Sequence, residues 1–154
     1  MSVKDTVRQH YKRTVDQASD QLGDLATPSE GWITVVRKAF GMSGAQLGKR
    51  VGITRAAVSQ AERNERDGVI TLQQMHKLAE AMGGRYVHAI ILTKPIDDAL
   101  LTQARKKATA TIKRASAHMA LESQALSNAQ NRAEIERLAR QMLVSQPSDF
   151  WDDK

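Results

Sequence analysis

Cysteine is absent from the 154-residue chain, which excludes disulfides and thiolate metal sites and suits a reducing compartment. Long apolar runs are missing too. No stretch approaches the roughly 18 apolar residues of a membrane-spanning helix, and the opening residues, MSVKDTVRQHYKR, lack the apolar core of a secretory signal. A cytoplasmic protein with no membrane association is therefore expected. Signatures of catalysis are equally scarce: the chain has no nucleophile elbow, no phosphate-cradling glycine-rich loop and no pair of carboxylates placed for acid–base work. His10, His76, His88 and His118 are scattered, and no two of them have metal-ligand spacing with a carboxylate. The expectation is a protein that is not an enzyme, holds no metal and needs no cofactor.

Positive charge is in excess. Lys and Arg number 23 against 17 Asp and Glu, a formal net charge of +6 with a pI near 9.8. A polyanionic partner is favoured, because each cation placed near a phosphate releases a condensed counterion. The hydrophobic fraction of 41% is that of a soluble globular chain, and the length allows one small domain with appendages or two very small ones.

The excess charge collects in one stretch, Met42 to Arg66, where Lys49, Arg50, Arg55, Arg63 and Arg66 face only Glu62 and Glu65. Two short helix signals flank Val51-Gly52-Ile53-Thr54. Ser43 with Gln46 three residues later is a capping box for the first helix, and Gly52 frees the backbone to end it sharply. Thr54 caps the second helix, from Arg55 to about Arg63, which turns Val58 and Ala61 to a core and leaves Arg55, Ala56, Ser59 and Gln60 outward. Arg and Gln make paired hydrogen bonds to base edges in the major groove, while Ala and Ser sit close to a thymine methyl or a phosphate. The stretch reads as the helix-turn-helix of a sequence-specific DNA-binding protein.

Around it the chain is mostly helical. Residues 2–22 predict an amphipathic N-terminal helix with Ser2 and Asp5 at its start and Gly23 at its end. This arm is expected to serve packing or dimerisation. Thr27-Pro28-Ser29-Glu30 predicts the start of a helix running to Phe40, with Trp32, Ile33, Val36, Ala39 and Phe40 as its apolar face. Thr71 with Gln74 predicts a further helix carrying Leu72, Met75, Leu78, Ala79 and Met82, stopped by Gly83-Gly84. Arg85 to Thr93 then changes to a β-branched and aromatic composition, which predicts one short strand with His88 as a packing residue. A lone strand leaves unpaired backbone groups, and the obvious partner is the same strand of a second copy. The stretch from Pro95 to Leu126 returns to helical spacing. Ser127 and Gln130 start a last helix with Ile135, Leu138, Ala139, Met142 and Leu143 in register, and the acidic tail SDFWDDK presents Phe150 and Trp151 to a neighbour.

The expected fold is thus mainly α. It divides into an N-terminal helical arm (1–26), a helix-turn-helix domain (27–84), a dimerisation strand (85–94) and a C-terminal helical hairpin (95–154). The expected state is a homodimer reading a palindrome in double-stranded DNA.

The residues Gln46, Leu47, Val51, Gly52, Ile53, Thr54, Val58 and Glu62 resemble the Xre/Cro/phage-repressor class over about Gly31 to Gly84. The resemblance implies that Arg55, Ala56, Ser59 and Gln60 read bases, and that Ser43, Thr54, Arg63 and Asn64 meet phosphates. Gly44 stands where that class often has Gln, so only its backbone N–H is available to a phosphate. Over nearly the whole chain, GWITVVRKAFGMS, GVITLQQMHKLAEAMGGRYVHAIIL, AHMALESQAL and the FWDD ending resemble the family called mobile mystery protein A. Members of that family occur beside a Fic-domain protein, of a class that transfers AMP from ATP to protein hydroxyls. This implies an antitoxin that represses its own operon and restrains a Fic-type toxin. Fic inhibitors carry Ser/Thr-x-x-x-Glu-Gly/Asn on a helix. The nearest segment here, His118-Met119-Ala120-Leu121-Glu122-Ser123, departs from it at both ends, and it makes Glu122, with His118, the candidate inhibitory residue. The alternative is a stand-alone Xre-type repressor whose C-terminal helices serve only dimerisation or ligand sensing.

Overall fold

The computed structural model describes residues 1–121 and 128–153, and it is helical throughout its ordered elements. Seven helices lie among these residues: α1 (Val3–Leu22), α2 (Trp32–Ala39), α3 (Gly44–Val51), α4 (Arg55–Arg66), α5 (Leu72–Ala81), α6 (Ile96–Leu121) and α7 (Asn128–Val144). They fall into two compact units, one formed by residues 21–90 and the other by residues 1–20 with 91–154. No described helix is long and apolar enough to cross a membrane.

The unit of residues 21–90 holds α2 to α5 around a core of Ile33, Leu47, Val58, Ala61, Met75, Leu78 and Met82. Fully burying one of the larger of these side chains contributes about 1.5–3 kcal/mol. Helix α2 begins later than Thr27-Pro28 predicted. Pro28 instead accepts a hydrogen bond from the Gly31 N–H at 3.0 Å in a turn, and Gly31 takes a positive φ of 88° that no continuing helix allows. The cap comes from elsewhere in the chain. The Glu65 carboxylate accepts the Trp32 and Ile33 N–H groups at 2.7 and 2.9 Å, satisfying two of the orphan donors at the start of α2 and placing negative charge at its positive end. Such a cap contributes about 0.5–2 kcal/mol.

Helix α5 begins as predicted, with the Gln74 N–H donating to Thr71 Oγ1 at 3.1 Å, and it ends before Gly83, whose φ is 84°. The strand expected over residues 85–94 is not seen: among the described residues no strand forms, and no backbone hydrogen bond involves residues 85–92. Composition signals a preference for pairing but supplies no partner, and no described segment of the chain runs alongside. What forms instead is a ring cluster. His88 stacks on Tyr86 at 5.6 Å, and His76 of α5 meets both rings edge-on at 5.7 and 6.0 Å.

In the other unit α1 opens with the expected cap, Ser2 and Asp5 exchanging hydrogen bonds between backbone and side chains at 3.1 and 3.2 Å. The Ser2 hydroxyl, donating to the Asp5 carboxylate at 2.7 Å, and then the Ser2 N–H hold the Asp5 carboxyl below its ordinary pKa. Asp16 of α1 accepts the Ile96 N–H at 3.1 Å, and Lys12 reaches Asp97 at 2.7 Å, both at the start of α6. Helices α6 and α7 pack as the expected hairpin. Ala104, Ala108 and Ala139 are fully buried, so the two backbones approach closely. Arg105 and Glu136 tie the helices with a forked pair at 2.7 and 3.1 Å, whose hydrogen bonds hold the Glu136 carboxyl below its usual range.

The tail corrects the sequence reading at one residue. Phe150 is 1% exposed and completes the hairpin's own core rather than docking on a neighbour, and only Trp151 stays largely open at 58%. The clamp is polar. Gln103 donates to the Phe150 carbonyl at 2.7 Å, Lys107 to the Asp152 carbonyl at 3.1 Å, and Lys106 pairs with Asp153. Burial of a phenyl ring is favourable enough to hold this segment on the core of its own hairpin.

Candidate nucleic-acid interface

Two capped helices meeting at a tight turn define the candidate site. At the start of α3 the Gln46 N–H donates to Ser43 Oγ at 3.1 Å, and the Ser43 N–H donates to Gln46 Oε1 at 2.8 Å, which is the reciprocal capping box expected from the sequence. At the other end Gly52 adopts φ 85° and ψ 30°. The Gly48 carbonyl there accepts both the Gly52 and the Ile53 N–H at 2.8 and 2.9 Å. Thr54 then caps α4, its Oγ1 accepting the Ala57 N–H at 3.1 Å. The cap oxygens accept, so the Ser43 and Thr54 hydroxyl protons stay available to an outside acceptor such as a phosphate oxygen.

Helix α4 is divided by burial. Val58, Ala61 and Glu62 face the core, whereas Arg55, Ala56, Gln60 and Arg63 are exposed and Ser59 and Asn64 are half-buried. Of the proposed base-reading residues, Arg55, Ala56 and Gln60 are thus open to a ligand and Ser59 partly so. A Cβ at Gly44 would lie 3.6 Å from the Arg55 Cγ, so the stem of Arg55 leans on the first turn of α3. Ser43, Gly44, Thr54 and Arg55 are thereby gathered at adjoining helix N-termini, where backbone N–H groups and helix dipoles favour an anion. Among the described residues Arg55 makes no hydrogen bond or ion pair, leaving its guanidinium free for a ligand.

Electrostatics sharpen this surface in a way composition did not reveal. The two acids that offset the five cations of residues 42–66 are both used internally. Glu62 takes a forked ion pair from Arg37 of α2 at 2.6 and 3.3 Å, and Glu65 caps α2. Outward-facing charge on α3 and α4 is left to Lys49, Arg50, Arg55, Arg63 and Arg66. One of these is partly committed, since Arg50 Nε donates to the Ala81 carbonyl at 2.7 Å and closes the end of α5.

Several residues that shape the site carried no signal read from the sequence: Arg37, Glu65, Gly31 and Gly48. A Cβ at Gly48 would lie 2.6 Å from the Ile53 carbonyl oxygen, so α3 can fold back against the turn only with glycine there. Arg63 and Asn64, the other residues expected at phosphates, also hold Gln60: Arg63 Nη2 donates to Gln60 Oε1 and Gln60 Nε2 donates to Asn64 Oδ1, each at 2.8 Å. At the far end of the chain His118 is exposed in the last turn of α6, and Glu122 lies outside the described residues.

Comparison with curated proteins and with solved structures finds no match to the chain. Residues 35–86, by contrast, match the helix-turn-helix family, a span that takes in α3, the turn, α4 and α5. That segment is a helix-turn-helix domain of the Xre-like kind, the type found in DNA-binding regulators.

Proposed function

We propose that the protein is a sequence-specific transcription regulator that lays α4 in the major groove of an operator. The carrying observation is the arrangement of α4, with Val58, Ala61 and Glu62 turned inward while Arg55, Ala56 and Gln60 are exposed and Ser59 is half-buried. Ser43, Gly44 and Thr54 take the flanking phosphates from the two helix N-termini. One such helix spans only a half-site, so the protein acts as a dimer on a palindrome. In this reading residues 27–84 bind DNA, residues 85–94 join the protomers, and residues 1–26 and 95–154 serve assembly and partner binding.

The test compares a duplex selected from a random pool with a random duplex of the same length. Arg55→Ala and Gln60→Ala are expected to lower the affinity ratio between the two by about 10-fold each, since a paired base contact supplies about 1–3 kcal/mol of discrimination. Binding to the random duplex changes far less. Equal weakening on both DNAs would assign these residues to the backbone and end their role as base readers.

The finer role is that of an antitoxin for a Fic-type toxin encoded alongside, with autorepression of the shared operon. Its support is the resemblance of the chain to mobile mystery protein A and the segment His118-Met119-Ala120-Leu121-Glu122-Ser123. In an AMP-transfer assay with the companion enzyme, the native chain is expected to inhibit, and Glu122→Ala to relieve that inhibition while leaving DNA binding intact. Undiminished inhibition by the variant would remove Glu122 from the role. No inhibition by the native chain would leave a stand-alone repressor.

A further inference from the structure

The three-residue relay on α4 has a polarity that the side chains themselves determine. An amide such as that of Gln60 can present either its oxygen or its nitrogen to a neighbour, but a guanidinium only donates. Arg63 Nη2, 2.8 Å away, therefore requires the oxygen, and Gln60 Nε2 is turned to Asn64, whose own oxygen must receive it at 2.8 Å. Neither amide is free to flip while Arg63 stays in place. Gln60 retains one N–H and one oxygen lone pair, both in the plane of a single amide, and the residue is exposed on the outward side of α4. A donor beside an acceptor complements adenine, which offers N7 as acceptor and N6–H as donor at its major-groove edge.

We propose that Asn64 and Arg63 are positioning residues that lock Gln60 in the orientation that reads adenine, an inference that rests on α4 being the base-reading helix. An untethered Gln loses rotamer freedom when it is fixed on a base. A Gln already held between two neighbours loses less, and it rejects bases whose donor and acceptor order is reversed. Arg63 keeps its Nε and Nη1 groups for a phosphate, so it serves both register and readout.

The experiment is selection from a pool of randomised 40-base-pair duplexes by the full-length chain, followed by affinity measurements on the enriched sequence and on single-base variants of it. The native chain is expected to show an adenine at one position of each half-site whose replacement weakens binding about 10-fold. Gln60→Ala and Asn64→Ala should both flatten that position, leaving the other positions, random-duplex affinity and salt slope unchanged. Asn64→Asp keeps the acceptor and should restore the adenine preference, although its charge weakens binding to every duplex. In the Gln60→Ala background Asn64→Ala should add nothing at that position.

Different failures are distinguishable. If Gln60→Ala flattens the position and Asn64→Ala does not, the relay is overturned and base reading stands. If Asn64→Ala weakens all duplexes alike with the salt slope unchanged, it is a neutral phosphate contact and the proposal falls. If no position responds to Gln60→Ala, or no duplex is enriched, base reading by Gln60 and the inference built on it fail together.

Discussion

Gly48→Ala is expected to open the turn between α3 and α4 and to abolish DNA binding. The added Cβ would sit 2.6 Å from the Ile53 carbonyl oxygen and 3.3 and 3.4 Å from the Thr54 carbonyl carbon and oxygen. All three are backbone atoms and cannot swing aside. Glycine-to-alanine within a helix gains about 1 kcal/mol of propensity, but overpacking against a fixed neighbour costs about 1–3 kcal/mol and occasionally more. The clash wins, because the turn it strikes is already pinned by two hydrogen bonds to the Gly48 carbonyl at 2.8 and 2.9 Å. Gly52→Ala is the matched control. Gly52 has φ 85° with open space around its missing Cβ, so that change costs only about 1–2 kcal/mol of backbone strain. Hydrogen exchange of the amides of residues 44–66 reads the difference, with Gly48→Ala losing much more protection than Gly52→Ala. Equal protection in the two variants would show that the turn tolerates a side chain at Gly48.

The contrast between these glycines indicates which parts of the site the sequence makes legible. Gly52 follows a capped helix and precedes a Thr cap, so its role is written in its immediate neighbours. Ser43 with Gln46, Thr54, and Thr71 with Gln74 are local in the same sense, and each makes the expected cap. Gly48 looks like any small residue in a helix until the following turn folds back onto it. Glu65 lies 33 and 32 residues from the amides it caps at Trp32 and Ile33, and that distance explains why the local Thr27-Pro28 signal placed the start of α2 too early. Phe150 likewise finds its pocket among Ala104, Ala108 and Ala139, a contact that no spacing rule within the tail announces. Helical periodicity gave the hairpin of α6 and α7, whereas the β-branched run at residues 85–93 gave a strand signal with no described partner to satisfy it. Outward residues of α4 were readable from period alone, but the relay that binds Gln60 to Arg63 and Asn64 depends on side-chain orientation.

Replacing Arg37 with Met is expected to destabilise the unit of residues 21–90 by about 3 kcal/mol, the lower part of the range for breaking a buried ion pair. Arg37 and Glu62 bond through two contacts at 2.6 and 3.3 Å, with side-chain exposures of 16% and 11%. A third hydrogen bond, from Arg37 Nη1 to the Met42 carbonyl at 2.9 Å, ties the pair to the segment entering α3. Without Arg37 the Glu62 carboxylate is left on the core side of α4, beside Val58 and Ala61, with no cation to offset its lost hydration. Glu62→Leu should cost less, because the longer Arg37 side chain can carry its charge outward to water while its stem stays packed. The double variant Arg37→Met with Glu62→Leu removes both charges and should recover most of the loss, since an apolar pair of similar volume often replaces a buried ion pair at little cost. Urea unfolding of the four proteins, followed by exchange protection within residues 32–66, measures the cycle. The pair links α2 to the inner side of α4, so DNA affinity should fall with Arg37→Met and return in the double variant. If the two single costs simply added, Glu62 would not be a charge held for Arg37, and the inward turn of α4 would have to rest on Val58 and Ala61 alone.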